Sequence, residues 1–203
     1  MVATKRLFLA VHLSEEVRSR LEAVQRAVTH DSKAVRLVAP QNLHLTLHFL
    51  GDTDAEVVEP LVEGLRTSIE SFSSFAATAR GGGCFPSARK PRVFWAGVEA
   101  ENGADGNAGP LSRIHAAAGT VLTGLDFELD RRPFSPHITI GYARKKADPS
   151  ELTEAAGELA AAAREQLGEG GTGFRVEAIA LVESTLGRGG PTYTDIETIP
   201  LRG

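Results

Sequence analysis

The stretch Asn42-Leu43-His44-Leu45-Thr46-Leu47-His48-Phe49-Leu50-Gly51 decides the fold of this chain. Polar and apolar residues alternate through it, and alternation at period two is typical of a half-buried β-strand. The side chains predicted to face a core are Leu43, Leu45, Leu47 and Phe49. The opposite face then carries His44, Thr46 and His48. Two imidazoles and a hydroxyl on one strand face are unusual, because ordinary solvated strands more often carry Thr, Ser, Lys or Glu there.

A second strand repeats this pattern. The segment Arg132-Pro133-Phe134-Ser135-Pro136 leads into His137-Ile138-Thr139-Ile140-Gly141, where His137 and Thr139 share one face. The two His-x-Thr units lie almost half of the 203-residue chain apart. One such unit arises often by chance, whereas two units in matched apolar strands form a much stronger signal.

Composition bounds the class of protein. Hydrophobic residues make up 42% of the chain, which is enough for a core. The net charge of −4 argues against a protein that coats nucleic acid through bulk charge, and it leaves room for a local phosphate pocket. Cys84 is the only cysteine, which excludes an intrachain disulfide and a Cys-based zinc site. The apolar run 7–11 is too short to span a membrane and is followed by Ser14-Glu15-Glu16, so we expect a cytoplasmic protein with no membrane partner.

The remaining patterns predict helices and strands in a similar order in each half. Helices are predicted over residues 15–29, from a cap at Asp52 or Asp54 to Ile69, and over residues 111–122 and 149–167. Strands are predicted over residues 6–13, 35–38, 75–80, 92–98, 174–183 and 193–201. A flexible loop is predicted at Gly81–Pro86 and a linker at Glu101–Gly109.

This element order predicts an α+β fold. We expect a duplicated, bilobal unit with two antiparallel β-sheets, helices outside and a central cleft. The chain would then be a single bilobal domain over residues 1–203, with pseudo-repeat halves of roughly 1–105 and 106–203.

Two histidines that face each other across such a cleft suit acid–base chemistry at phosphorus. Histidine titrates near pH ~6.5, so one imidazole can take a proton from water while the other protonates a leaving oxygen. In-line displacement needs this opposed placement. The hydroxyls of Thr46 and Thr139 can hold non-bridging phosphate oxygens, so the chemistry needs neither a metal nor a cofactor.

Through these residues the chain resembles the 2H phosphoesterase superfamily, and within it the RNA 2′,3′-cyclic phosphodiesterases, also called 2′-5′ RNA ligase-like proteins. The resemblance rests on His44-Leu45-Thr46-Leu47 and His137-Ile138-Thr139-Ile140. It extends, in the family's order, to Arg6-Leu7-Phe8, Phe85-Pro86, Arg92–Val98, Ser184-Thr185-Leu186 and Gly190-Pro191-Thr192-Tyr193. The resemblance implies the 2H phosphoesterase fold and metal-independent opening of a terminal 2′,3′-cyclic phosphate of RNA or a nucleotide to a 2′-phosphate. It also implies that His44 protonates the leaving 3′-oxygen and that His137 is the base that activates water.

Two positions depart from the family's pattern. The family often has Lys where His48 stands and Arg where Tyr142 stands. Arg144, Lys145 or Arg92 could supply the missing cation. Of these, Arg92 is our candidate for a substrate-binding residue beside the two threonines.

Two alternative functions fit the same residues. One is a 2H phosphoesterase or reversible 2′-5′ RNA ligase that acts on a different small nucleotide or on tRNA halves. The other is a non-catalytic module that binds RNA ends, which the presence of both histidines and both threonines disfavours. We expect His48 at the rim of the site or simply exposed, Trp95 in the core rather than stacked on a base, and a monomeric protein.

Overall fold

A computed structural model describes residues 4–28, 34–100 and 109–203. The strands are β1 Thr4–His12, β2 Val35–Leu37, β3 His44–Asp54, β4 Phe75–Phe85, β5 Val93–Ala100, β6 His137–Ala143, β7 Thr172–Val176, β8 Ala178–Gly187 and β9 Gly190–Pro200. The helices are α1 Glu15–Val28, α2 Val58–Ile69, α3 Pro110–Gly124 and α4 Pro149–Leu167. Nearly all of the linker predicted at 101–109 lies outside the described residues.

The strands form an antiparallel sheet in the order β7-β4-β5-β6-β3-β1-β8-β9, with β2 paired to β6. The predicted α+β class with antiparallel strands is confirmed. The two predicted sheets are joined into one, because Leu45 of β3 pairs with Ile138 of β6. Within the described residues this is the one register pair between β3 and β6. We call these two residues the seam pair, since the first and second halves of the sheet meet there.

The helices and the sheet enclose the main core between them. Helix α1 buries Val17, Leu21 and Val24 completely, and it packs beside α4, while α2 packs beside α3. The buried residues of the strands that face this core include both members of the seam pair. The other face of the sheet carries a small separate apolar cluster around Phe8 and Ala10, with Tyr193 packed against it. That second face, the cleft face, is where the predicted polar side chains emerge.

A bulge in β3 changes part of the predicted alternation. His48 and Thr46 pair with successive residues of β1, so Leu47 is an extra residue in β3. An extra residue reverses the faces of the side chains beyond it. As a result His48 is buried and Phe49 is 73% exposed. The prediction that Phe49 faces the core is therefore wrong, and so is the prediction that His48 shares the face of His44.

Three predicted boundaries also differ from the structure. Strand β4 continues through Phe85, so most of the predicted loop at Gly81–Pro86 is strand, paired with β5. The predicted strand over residues 174–183 is divided into β7 and β8. Strand β3 continues to Asp54, and α2 begins after a short 3₁₀ turn without a side-chain cap, so neither predicted aspartate caps it.

The last predicted helix begins and ends where the sequence indicates. Asp148 caps α4, because its carboxylate accepts a hydrogen bond from the Ser150 N–H at 2.8 Å. The first helix also agrees with its predicted range to within one residue. Among the described helices, none is long and apolar enough to cross a membrane.

Candidate active site

The two His-x-Thr units lie side by side at the seam between β3 and β6. The seam pair is antiparallel, so extending its register by one residue in each direction sets His44 beside Thr139 and Thr46 beside His137. Each unit's threonine therefore neighbours the other unit's histidine. The aliphatic side chains of the seam pair are buried beneath them. The predicted meeting of the four residues on one face of the sheet follows from this register.

The two imidazoles are held in the same way. The Nδ1–H of His44 donates to the carbonyl oxygen of Asn42 at 2.7 Å, and the Nδ1–H of His137 donates to that of Ser135 at 2.7 Å. A carbonyl oxygen can only accept, so Nδ1 carries the proton in both rings. In each unit the carbonyl lies two residues before the histidine. Nε2 is thus the nitrogen left to exchange protons in both units, and the two His-x-Thr units share the same tautomer.

His44 is packed tightly on the cleft face. Its Nε2 lies 3.0 Å from the Thr46 hydroxyl. The rings of Phe8 and Tyr193 lie 4.8 Å and 5.3 Å from the imidazole, measured between centroids. In the neutral imidazole the Thr46 O–H donates to Nε2, and after protonation the Nε2–H donates to the Thr46 oxygen.

Burial is the main reason why the pKa of His44 is lowered from its ordinary value. The hydrogen bond to the Asn42 carbonyl opposes this effect. The positive charges that His12 and His137 can carry lower the pKa further. The second candidate catalytic imidazole is therefore close enough to His44 to lower its pKa.

His137 lies against aromatic side chains. The ring of Phe85 is 5.0 Å away, edge-on, and that of Trp95 is 6.4 Å away. Trp95 pairs with Thr139 in the β5–β6 ladder, so it projects from the cleft face and is only half-buried. The prediction that Trp95 belongs to the core is wrong, because the ladder sets it on the same face as His137.

Strand β9 forms a wall beside His44. Three alternate residues of β9, Pro191, Tyr193 and Asp195, face this side of the cleft. They contact Asn42, His44 and His12, in that order. The Asn42 amide donates to the Pro191 carbonyl oxygen at 2.7 Å. Nε2 of His12 lies 2.8 Å from the Asp195 carboxylate. Sequence reasoning missed His12, although the alternation in β1 places it on the same face as Phe8, directly opposite His44.

A cation and a second tyrosine extend the cleft face beyond the histidines. Arg36 of β2 pairs with Tyr142 of β6, and its guanidinium lies 5.0 Å from the centroid of the Tyr142 ring. Burial raises the pKa of Tyr193, the Tyr142 hydroxyl raises it further, and the charge of Arg36 lowers it. Arg36 thus acts on a residue that touches His44, and sequence reasoning missed it.

The structure does not bring the predicted Arg92 into contact with the histidines. Arg92 is exposed just before β5, where its N–H donates to Phe85 and its carbonyl accepts from Ala143. Its guanidinium forms no ion pair within 4.0 Å among the described residues. The other two candidate cations, Arg144 and Lys145, are exposed beyond the end of β6.

His48 lies on the helix-covered face, away from the cleft. Its Nε2–H donates to the His115 carbonyl oxygen at 2.8 Å, and its ring stacks on that of His115 at 4.0 Å. His115 stacks in turn on Phe134 at 4.0 Å. Burial lowers the pKa of both histidines, that of His115 to about 4. The expected rim position of His48 is wrong, and the structure gives it a packing role.

We expect His48→Ala to destabilise the fold without disturbing the cleft. The substitution removes a stacked ring and its hydrogen bond to the His115 carbonyl oxygen, so the free energy of unfolding should fall by about 1–3 kcal/mol. Urea unfolding measures this loss. The imidazole NMR shifts of His44 and His137 should stay unchanged, whereas large changes in these shifts would contradict the packing role.

Comparisons with known proteins identify the family of this chain. The family model described as LigT like Phosphoesterase matches residues 11–95 and 103–193. The RNA 2′,3′-cyclic phosphodiesterase of Methanothermobacter thermautotrophicus is 32% identical over 196 residues, which cover 97% of this chain and 98% of the relative. The protein of the same name from Thermus thermophilus is 35% identical over 202 residues, which cover 98% of this chain and 91% of the relative.

Solved structures show the same fold. A crystal structure of a Thermus thermophilus protein superposes with a TM-score of 0.77 at 29% identity and covers 98% of each chain. The crystal structure of E. coli LigT complexed with 3′-AMP superposes with a TM-score of 0.71 at 25% identity, covering 99% of this chain and all of the other.

Proposed function

The chain belongs to the LigT-like phosphoesterase family, and from this membership we propose that it is an RNA 2′,3′-cyclic phosphodiesterase. The enzyme hydrolyses the 2′,3′-cyclic phosphate at the 3′ end of an RNA, or of a nucleotide, to a 2′-phosphate. Nearly full-length relatives of that name support the reaction. The observation that carries the proposal is the pair of imidazoles, each with its Nδ1–H on a carbonyl two residues earlier, which leaves Nε2 as the nitrogen that exchanges protons.

In the proposed mechanism the two histidines divide the proton transfers. Nε2 of His137 takes a proton from water as the water oxygen attacks phosphorus. The bond from phosphorus to the 3′-oxygen breaks, and the Nε2–H of His44 protonates that oxygen. The product keeps its phosphate on the 2′-oxygen. The hydroxyls of Thr46 and Thr139 donate to the non-bridging oxygens, where negative charge builds up in the transition state.

The environment of His44 suits the role of proton donor. Its lowered pKa makes the protonated imidazole a stronger acid, but it also leaves the free enzyme mostly neutral at pH 7. A bound phosphate brings a negative charge beside the ring and favours the protonated form. Binding of the substrate therefore favours the protonated form of His44, which the reaction requires.

This behaviour gives a pH prediction for the alkaline limb of the rate profile. A proton donor is lost as pH rises through its pKa, so activity should fall on the alkaline side. The alkaline limb of kcat/KM reports the free enzyme, and its midpoint should lie below the ordinary histidine pKa of about 6.5. The limb in kcat reports the complex and should lie at higher pH. Initial rates between pH 4 and 9 measure both limbs. Limbs with the same midpoint would contradict a proton donor whose protonated form is favoured by bound substrate.

The position of Arg92 supports a more limited role. Its exposed guanidinium can steer RNA phosphates toward the cleft, which is a rate effect that salt screens. The reacting phosphate is then held by the two threonines rather than by this arginine.

A substrate panel tests the proposed function. We expect rapid hydrolysis of a short RNA that ends in a 2′,3′-cyclic phosphate, and no cleavage of its internal 3′-5′ linkages. A His44→Asn, His137→Asn double variant purified in parallel controls for contaminating nucleases. Turnover of a 2′-5′-linked RNA, or joining of tRNA halves, in preference to the cyclic end would favour the ligase-like alternative instead.

A further inference from the structure

Arg36 is an exposed cation that lies against an aromatic ring. Its guanidinium is exposed over the Tyr142 ring, and among the described residues no carboxylate forms an ion pair with it within 4.0 Å. Arg66 and Arg80, by contrast, are paired with glutamates. A guanidinium held by a ring keeps its N–H groups available, since the ring engages its face and not its donors. Such a group is well suited to bind a phosphate through two parallel hydrogen bonds.

The register of β6 shows where this cation lies relative to the reaction centre. Thr139 and Tyr142 pair with Trp95 and Val93, which lie two residues apart on the same face of β5. Tyr142 therefore shares the cleft face with Thr139 across an irregularity in β6, and the two steps along β5 correspond to about 7 Å at ~3.4 Å per residue. Arg36 pairs with Tyr142 and its guanidinium lies over the Tyr142 ring, so Arg36 lies on the cleft side as well.

We propose that Arg36 binds the RNA phosphodiester that precedes the cyclic phosphate, so that the enzyme selects RNA ends over mononucleotides. The proposal rests on the proposed function and names its substrate more closely. Two histidines and two threonines already surround the reacting phosphate. Arg36, which lies farther along β6, meets the next phosphate of the RNA. Only an oligonucleotide has this second phosphate.

Tyr142 is the positioning residue for this contact. Its ring holds the guanidinium, and its hydroxyl is not required for that purpose. Tyr142→Phe should therefore keep the binding of oligonucleotides, whereas Tyr142→Leu should weaken it in the same direction as loss of Arg36. A role for the hydroxyl alone would give the opposite order of effects.

The test compares two substrates that differ only in upstream phosphates. One is adenosine 2′,3′-cyclic phosphate, and the other is a trinucleotide that ends in the same cyclic adenosine. Arg36→Ala should raise KM for the trinucleotide by roughly 10- to 100-fold, as expected for a lost charge-assisted hydrogen bond, and change the mononucleotide constants less than about 3-fold. Arg164→Ala, which removes the same charge from the exposed side of α4, controls for bulk electrostatics.

Each outcome decides the assignment. Equal loss on both substrates would place Arg36 at the reacting phosphate and overturn the proposal, as would no loss on either. The product-like ligands 2′-AMP and a trinucleotide with a 2′-phosphate end give an independent reading through their dissociation constants. If the parent protein turned over neither substrate, the proposed function would fail. The binding of these two ligands to the parent and Arg36→Ala would still confirm or overturn the phosphodiester contact.

Discussion

Replacing His44 or His137 with alanine is expected to lower kcat for hydrolysis of a cyclic phosphate end by roughly 10²- to 10⁴-fold, the usual contribution of one positioned acid or base. Both rings have the same tautomer, and in the proposed in-line mechanism neither can act for the other because the attacking and leaving oxygens lie on opposite sides of the phosphorus. Steady-state kinetics on a cyclic-ended RNA measures both losses. Each variant should keep the thermal midpoint of the parent within a few degrees, since neither ring belongs to the main core.

A variant with both His44 and His137 replaced by alanine shows whether the two histidines act in one concerted step or independently. Groups that act in one concerted step give losses that are far from additive, so the double variant should be little slower than the worse single variant. His115→Ala serves as the matched control, because it removes an imidazole from the opposite face of the sheet. Parent-like rates in either His44→Ala or His137→Ala would show that the reaction does not use the pair.

The second large effect is a loss of stability when either residue of the seam pair is replaced. Leu45→Ala and Ile138→Ala should each lower the free energy of unfolding by about 2–5 kcal/mol, because both side chains are almost fully buried and their removal leaves cavities. Urea unfolding monitored by circular dichroism measures these losses. Leu21→Ala, equally buried in α1, is a control for an ordinary core deletion.

A double-mutant cycle shows whether the seam couples the two halves. Residues in direct contact give interaction energies of about 0.5–3 kcal/mol, whereas distant sites add. We expect coupling of that size between Leu45 and Ile138, and additivity between Leu45 and Leu21. Full additivity at the seam would mean that the two side chains do not couple the halves of the sheet energetically.

The sequence predicts the faces of the first catalytic strand correctly as far as Leu47, and the prediction is wrong beyond that residue. Through Leu47 the alternation is regular, and the structure places His44 and Thr46 as the pattern predicts. Beyond it the prediction for Phe49 is wrong because β3 carries a bulge. A bulge is set by how β3 pairs with β1, and no local pattern in β3 reports that pairing.

The glycine run shows a similar limit. Gly81–Gly83 looks like a flexible loop because glycine favours turns. In the structure it is strand, and at Gly82 and Gly83 the missing side chains allow close packing. A Cβ on Gly82 would lie 2.8 Å from Leu159 of α4, and one on Gly83 would lie 2.6 Å from Trp95. The neighbours that require glycine there are distant in sequence.

The parts of the cleft that sequence reasoning missed are also non-local. The wall formed by β9 depends on contacts such as that between Asn42 and Pro191. Arg36 becomes notable only when β2 pairs with Tyr142. Arg36 belongs to no motif, and the motif that contains Pro191 does not show which residue it contacts, whereas the histidines repeat a recognisable pattern. The repeated chemistry could therefore be predicted, and the surrounding binding surface required the fold.

One measurement tests the central claim most directly: the position of the product phosphate when the enzyme acts in EDTA. A short RNA ending in a 2′,3′-cyclic phosphate is treated with the parent protein, and the product is compared with synthetic 2′- and 3′-phosphate standards. We expect the 2′-phosphate alone, at a rate unchanged by EDTA. A 3′-phosphate product, or activity lost in EDTA and restored by a divalent cation, would contradict the two-histidine mechanism.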